Sequence, residues 1–257
     1  MGGVGGVHLI TLARLGIGNF NIADPDQFDV GNFNRQYGAT IDNLGRGKAE
    51  VMQETVRGVN PDVDLRIWNE RITESNLDAF LDGVDVLIDG VDFFCLDAKR
   101  VIFREAQRRG IWCITAGPIG FSTAWITFSP DGMSFDDYFD LNDSMSNVDR
   151  LIAFAVGLAP KATHLPYMDV SSVNLETGAG PSSSLACQLA AGVTAAEAIK
   201  IVLGRGEIGP APKFAQFDPY RMMFRKGNLR RGNRNWIQML KRRVLKSRLA
   251  KTGAISS

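Results

Sequence analysis

The chain opens Met1-Gly2-Gly3-Val4-Gly5-Gly6-Val7-His8-Leu9-Ile10-Thr11-Leu12-Ala13-Arg14-Leu15, then runs through Gly16-Ile17-Gly18 and Asn19-Phe20-Asn21-Ile22-Ala23 to Asp24. The glycines lead into a stretch that reads as a helix from His8 to Leu15. Glycines let a backbone approach phosphate oxygens, and a helix start offers free N–H groups and a positive dipole end. Gly16-Ile17-Gly18 closes the helix, as glycine does just past a helix C-terminus. Asn19 to Ala23 reads as a short strand, ended by Asp24-Pro25-Asp26. A carboxylate at that strand end accepts hydrogen bonds from a ribose. The segment therefore predicts an anion site at Gly2, Gly3 and Gly5 with Asp24 on the sugar; the alternative is a tight turn without a ligand. The strand that should precede the loop is missing, so the chain is read as starting inside the motif, N-terminally truncated.

Working outward, Asn43–Asn60 reads as a helix, Val63–Trp68 as a strand and Glu74–Leu81 as a helix. Val84–Ile88 reads as a buried strand and Leu96–Arg109 as a helix. Trp112–Ala116 and Thr123–Phe128 read as strands, Ser182–Leu203 as a long small-residue helix, and Phe214–Phe217 as a last strand. Alternating strands and helices with short turns predict an α/β fold. The expected form is a mostly parallel sheet with helices on both faces, its first strand missing, an antiparallel extension and a basic C-terminal helix. Residues 131–184 read as an irregular crossover region with an acidic cluster of Asp136, Asp137, Asp140 and Asp143. Residues 1–218 are expected to form the nucleotide-binding domain and 219–257 a basic tail.

The 257 residues, 45% hydrophobic and 22% charged, suit one large globular domain or two small ones, and exclude collagen-like and disordered chains. Cys95, Cys113 and Cys187 form no Cys-x-x-Cys pair, so neither a disulfide framework nor a zinc site is expected, and the default compartment is reducing, hence cytoplasmic. No transmembrane segment is read: Leu151–Pro160 is half a span, and Glu197 and Lys200 interrupt Leu185–Gly204. The net charge of +1 hides an asymmetry. Residues 219–257 carry 12 Lys/Arg and no Asp/Glu, leaving residues 1–218 with a net charge of −11. The tail, with Trp236–Leu249 as a basic amphipathic helix, is expected to act as a separable arm. Its candidate partners are the acidic body, a second subunit, nucleic acid or an anionic membrane surface.

Three further residues go beyond what a nicotinamide cofactor requires. Arg35 follows Asp24 in the run Asn32-Phe33-Asn34-Arg35-Gln36, Lys48 opens a helix, and Asp92 ends the run Asp89-Gly90-Val91-Asp92 after a strand. A parallel sheet collects strand-end groups at one edge. There, Arg35 and Lys48 face the phosphates and Asp92 holds Mg2+, which favours carboxylate plus phosphate oxygens. Such a set suits a triphosphate attacked at its α-phosphorus, with charge developing on pyrophosphate. Taken singly, Arg35 and Lys48 also read as solvated surface charges, and Asp92 as an N-cap of the following helix.

With these segments in place, the sequence resembles the ThiF/MoeB/HesA adenylyltransferases, relatives of ubiquitin-activating enzymes. The resemblance spans about Met1 to Gly206. It is carried by GGVGG, LARLGIGNFNIADPDQFDVGNFNRQ, GRGKAE, VNPDV, VLIDGVD, CITAGPIGF and GVTAAEAIKIVLG. It implies a homodimeric Rossmann-like enzyme that uses MgATP to adenylate a carboxylate, usually the C-terminal Gly-Gly of a ubiquitin-like or sulfur-carrier protein. By resemblance Asp24 holds the ribose, Asn32, Arg35 and Lys48 handle the phosphates, and Asp92 sits on the magnesium side. The chain departs from the family in lacking the first strand, the partner-donated arginine and the zinc cysteines, and in carrying Phe93 after the aspartate. Of the thiols, Cys95 at a helix start is the best nucleophile candidate, and Cys187 reads as core; the expectation is adenylation with no thioester.

A carboxylate is already ionised near neutrality, which accounts for a site without a catalytic histidine. The competing functions are carboxylate activation on a modified tRNA base, favoured by the basic tail, a nicotinamide oxidoreductase, and a non-catalytic nucleotide-binding relative.

Overall fold

The computed structural model describes residues 1–169, 173–174 and 180–251. The opening helix, α1 (Gly5–Arg14), begins inside the glycine run and ends at Gly16, whose φ of +92° lies in the left-handed region that a side chain disfavours. Strand β1 (Asn19–Ala23) pairs in parallel with β2 (Asp64–Trp68), and between them runs α2 (Lys48–Arg57). The helix is shorter than the Asn43–Asn60 expected, because residues Ile41–Asn43 form a separate 3-10 turn and Gly45 takes a φ of +77°.

After the short α3 (Leu77–Phe80) the chain builds a second sheet in the order β3 (Val86–Ile88), β4 (Trp112–Ile119), β5 (Ser122–Phe128), β6 (Lys213–Asp218), β7 (Met223–Asn228). Strand β3 is parallel to β4 and the remaining pairs are antiparallel. The expected antiparallel extension is therefore present, and it is larger than the parallel part, which is divided between the two sheets.

Helices cover both faces of β4, as the two-residue period of a strand requires. Cys113 joins the cluster containing Ile102 and Phe103 of α4 (Leu96–Arg108), whereas its neighbour Ile114 joins Leu12 of α1 with Ala195 and Ala198 of α7 (Ser184–Leu203). Helix α7 approaches the sheet closely because its inner face is made of Ala186, Cys187, Ala190, Ala191, Ala195 and Ala198. Ser183 caps its start by accepting the Ala186 N–H, and Gly204 ends it in the left-handed conformation. Among the described residues α7 is the one helix long and apolar enough to cross a membrane, and it packs against α1, β4 and β5.

Two expectations are corrected. The stretch 131–184 is not irregular throughout: it holds α5 (Phe135–Phe139) and α6 (Asn147–Leu158), while residues 170–172 and 175–179 lie outside the described residues. Ser134 and Ser146 cap these helices by accepting the N–H groups of Asp137 and Asp149. The acidic cluster is spent on ion pairs: Arg100 bridges Asp136 and Asp143, and Arg234 bridges Asp137 and Asp140.

The basic tail is not a separate arm. Helix α8 (Trp236–Lys251) lies on α6, burying Gln238 and Leu249. Lys241 donates to the Pro160 carbonyl, Arg242 pairs with Asp140, and Lys246 pairs with Asp149. The body's negative charge is what the tail docks on; residues 252–257 lie outside the described residues.

Candidate active site

The start of α1, the end of β1, the start of α2 and the exit of β3 meet around one cavity of about 1050 Å³. Gly2, Gly3, Asp24, Arg35, Lys48 and Asp92 all line it, although they are spread over 91 residues of sequence. A Cβ on Gly3 would stand 3.3 Å from the Cys187 Sγ, and one on Gly6 would stand 3.1 Å from the Met1 carbonyl oxygen, so side chains there would crowd the loop. Gly5 is not in the cavity wall. It is the first helical residue, and its Cα lies 3.5 Å from the point a Cβ on Gly90 would occupy, so the glycine loop and the β3 exit touch backbone to backbone.

Asp24 is mostly buried. Its Oδ1 accepts the Asp26 N–H at 2.9 Å, and its Oδ2 pairs with the Met1 ammonium. A hydrogen-bond donor thus already stands on this carboxylate, the relationship a ribose hydroxyl would have with it. Lys48 is the first residue of α2 and is buried, with its Nζ 3.2 Å from Asp26 Oδ2. The Nη1 of Arg35 donates to Gly31 O and Asn34 Oδ1, both at 2.9 Å, and among the described residues no carboxylate pairs with it. Two cations with unequal shielding, a free helix start and a glycine loop make this end of the cavity an anion receptor.

Asn32 does not line the cavity. Its Oδ1 accepts the Asp29 N–H at 3.2 Å while Asp29 accepts the Gly31 N–H, a reciprocal cap that shapes the turn ahead of Arg35. Asp92 is exposed, and its Oδ1 accepts the Phe94 N–H at 2.8 Å. The N-cap of α4 is Cys95, so Asp92 shapes the approach to that helix without capping it. Among the described residues no three His, Cys, Asp or Glu side chains converge on a metal position. A single carboxylate beside a phosphate receptor is nonetheless the donor set Mg2+ uses, since it keeps waters and takes its remaining ligands from phosphate oxygens.

Cys95 is exposed at the cavity wall, whereas Cys187 is buried near Arg35. Burial pushes the Cys187 thiol up to about 11, against the opposing pull of Arg35, which suits core packing.

Sequence reasoning missed two features. Gln36 is buried at the cavity wall beside Gly2, and its Oε1 has no partner. Asp89 and Lys99 form a buried ion pair on the cavity wall, with Nζ 2.7 Å from the carboxylate. Lys99 is in a helix with charges on several sides, and its spacing from Asp89 carries no helical signal. Only the fold brings the two together.

The sequence pattern of the ThiF family matches residues 1–236. Over 121 residues the chain is 35% identical to the tRNA threonylcarbamoyladenosine dehydratase of Escherichia coli, an alignment covering 47% of this chain and 44% of that one. Over 210 residues it is 26% identical to the probable adenylyltransferase/sulfurtransferase MoeZ of Mycobacterium tuberculosis, covering 80% of this chain and 47% of that one. The chain thus spans about half the length of these curated relatives. The crystal structure of E. coli MccB with ATP has the same fold, with a TM-score of 0.63 at 18% identity, covering 92% of this chain and 63% of that one.

Proposed function

Because the chain belongs to the ThiF family, we propose that it is an ATP-dependent adenylyltransferase that activates a carboxylate and releases pyrophosphate. The preferred acceptor is the C-terminal glycine of a ubiquitin-like or sulfur-carrier protein. The observation that carries this reading is the convergence of Gly2, Gly3, Asp24, Arg35, Lys48 and Asp92 on one cavity.

In this reading the glycine loop and the start of α1 receive the phosphates, Asp24 the ribose, and Arg35 and Lys48 the charge that develops as pyrophosphate departs. Asn32 acts by shaping the turn that presents Arg35. An oxygen of the acceptor carboxylate attacks the α-phosphorus, and the bond from the α-phosphorus to the bridging oxygen breaks. No general base is required, because the nucleophile is already an anion. Asp92 would hold Mg2+, which when bound neutralises phosphate charge. The mostly buried setting of Lys48 strengthens its interaction with phosphate relative to a solvated lysine.

The test is ATP–pyrophosphate exchange with a synthetic peptide ending in free Gly-Gly, and with the same peptide amidated at its C-terminus. Exchange with the free acid alone supports the reading. Calorimetric titration with ATP and with NAD separates it from an oxidoreductase. ATP binding with no exchange on any carboxylate would leave a non-catalytic relative.

The tRNA dehydratase relative favours a second acceptor, a carboxylate on a modified tRNA base. The tail adds less to that reading than its composition suggests, because Lys241, Arg242 and Lys246 contact the body. A homodimer is part of the proposal: Val30, Phe33, Tyr37, Ile41 and Leu44 are all exposed on the segment that carries Arg35. A cytoplasmic setting is supported by three free cysteines.

A further inference from the structure

Asp89 directly follows β3, three residues before Asp92, and Lys99 lies on the first turns of α4. The two residues are 5% and 3% exposed. The Lys99 ammonium donates to Asp89 Oδ1 and Oδ2, both at 2.7 Å, and to the Val91 carbonyl at 2.6 Å. Its three donors are then used, and the Phe154 ring lies 5.6 Å from the nitrogen. Asp89 is equally committed: it also accepts the Thr115 hydroxyl at 2.7 Å and the Val91 N–H at 3.1 Å.

This saturation decides what the pair can do. Lys99 lines the nucleotide cavity but has no proton left for a phosphate, and Asp89 has no lone pair left for a cation. Neither is a catalytic residue as the structure stands. Stability alone is also a poor account, since a buried ion pair is often matched or exceeded by apolar side chains of similar volume. What the pair holds is the backbone from Asp89 to Val91. Lys99 grips Val91 by its carbonyl, Asp89 grips the same residue by its N–H, and Gly90 between them abuts Gly5 of the glycine loop. Asp92 is the next residue.

We propose that Lys99 is a positioning residue which, through its buried pair with Asp89, clamps the Gly90–Val91 turn and so sets Asp92 relative to the glycine loop. This rests on the nucleotide reading given above. The mechanical chain is short: Lys99 fixes Val91, Val91 leads into Asp92, and Gly90 registers both against α1. Loss of the clamp should therefore be felt in how magnesium improves ATP binding, and much less in the binding of metal-free ATP.

The test uses the whole chain, with ATP titrated calorimetrically in the presence of Mg2+ and of EDTA. The variants are Asp89→Asn with Lys99→Met, which removes both charges together, and Lys99→Arg, which keeps the charge but cannot place three donors on the same three points. Each is also combined with Asp92→Asn, and thermal midpoints are recorded. The expected result is a loss of about tenfold in the Mg2+-dependent gain in ATP affinity, with metal-free affinity within about twofold of wild type. Adding Asp92→Asn should then cost less than about twofold more, because Lys99 acts through Asp92. If the double substitution prevents folding, Lys99→Arg gives the same reading. A folded variant with an intact Mg2+ gain, or an Asp92→Asn penalty undiminished by the clamp variants, overturns the proposal. Wild-type protein without Mg2+-dependent ATP binding would instead remove the nucleotide reading itself.

Discussion

The carboxamide of Gln238 donates to the Oδ1 of Asn233 at 3.3 Å, and these two buried side chains fasten the C-terminal helix to the body. Asn233 Nδ2 donates to the carbonyls of Phe139 at 2.9 Å and Ala153 at 2.7 Å, while Gln238 Nε2 also donates to the Val156 carbonyl at 3.1 Å. One polar knot thus ties the end of α5, the body of α6 and the first turns of α8.

Asn233→Ala should be among the costlier substitutions in the chain. It leaves the buried Phe139 carbonyl without a donor, removes a second donor from the Ala153 carbonyl, which keeps its bond within α6, and takes one acceptor from Gln238, at about 1–3 kcal/mol for each buried group left unpaired. Truncation after Asn235 should also destabilise, because Leu249 and Gln238 lose their buried places. For a chain of this size about 1 kcal/mol moves the thermal midpoint by roughly 2–4 °C, so either change should lower it by at least about 5 °C. A truncated protein with an unchanged midpoint would show that α8 is an appendage.

Arg35→Ala should leave the midpoint within about 1 °C while lowering pyrophosphate exchange by about 10²–10³, the usual cost of a lost transition-state donor. Its bonds within the fold are local, to Gly31 and Asn34, so folding loses little. Exchange near the wild-type rate would remove Arg35 from the chemistry.

His8 should make the protein acid-sensitive. It is buried in α1 with both ring nitrogens unpartnered, and burial pushes its pKa down from 6.5 to about 4, against a partial opposing effect of Asp89. Between those values the unfolded chain binds a proton that the folded one refuses. The folded state therefore loses stability as pH falls through that window, and above it His8 contributes no pH dependence. By pH 5 the loss should be about 2 kcal/mol. His8→Leu should shrink the difference between unfolding free energies at pH 7 and pH 5 by that amount. His164, pushed down to about 4 chiefly by burial, would still contribute its own share in the variant. An equal pH effect in both proteins would mean that His8 takes up its proton in the folded state.

The parts of the fold legible in the sequence were those with a local cause. Strand β1 is bracketed by Gly18 and Asp24, and β1 and α8 start where the residues place them. Helix α6 was hidden because Leu151–Leu158 is buried on nearly every side, so its apolar run has no helical period to read. Strand β7 was missed because Arg225, Lys226 and Gly227 break any alternation; its pairing with β6 supplies the order its own residues lack. At the candidate site, Gly2, Gly3, Asp24, Arg35, Lys48 and Asp92 were legible as candidates by residue type and share the cavity wall, whereas Gly5 and Asn32 lie off it. The buried Asp89–Lys99 pair was not, since burial, which turns a charged side chain into a clamp, is a property of the packed molecule.

The remaining prediction concerns the tail and separates the two acceptors. Each Lys or Arg that neutralises a phosphate adds about 0.9 to the slope of log affinity against log salt for duplexes, and about 0.7 for single strands. Lys241 is committed to a backbone carbonyl, where burial holds its pKa below the ordinary lysine value, and Arg242 and Lys246 are paired with carboxylates of the body. An RNA would have to break these contacts to use those three cations. Binding of unfractionated tRNA to the full chain should therefore be weak, with a slope shallower than about −3 between 50 and 200 mM salt. Arg242→Ala should lower the thermal midpoint more than it lowers RNA affinity, since the side chain holds α8 to Asp140. A slope of about −6 or steeper, reduced by roughly one unit in Arg242→Ala, would mean that the tail leaves the body for nucleic acid. The tRNA carboxylate would then replace the protein C-terminus as the preferred acceptor.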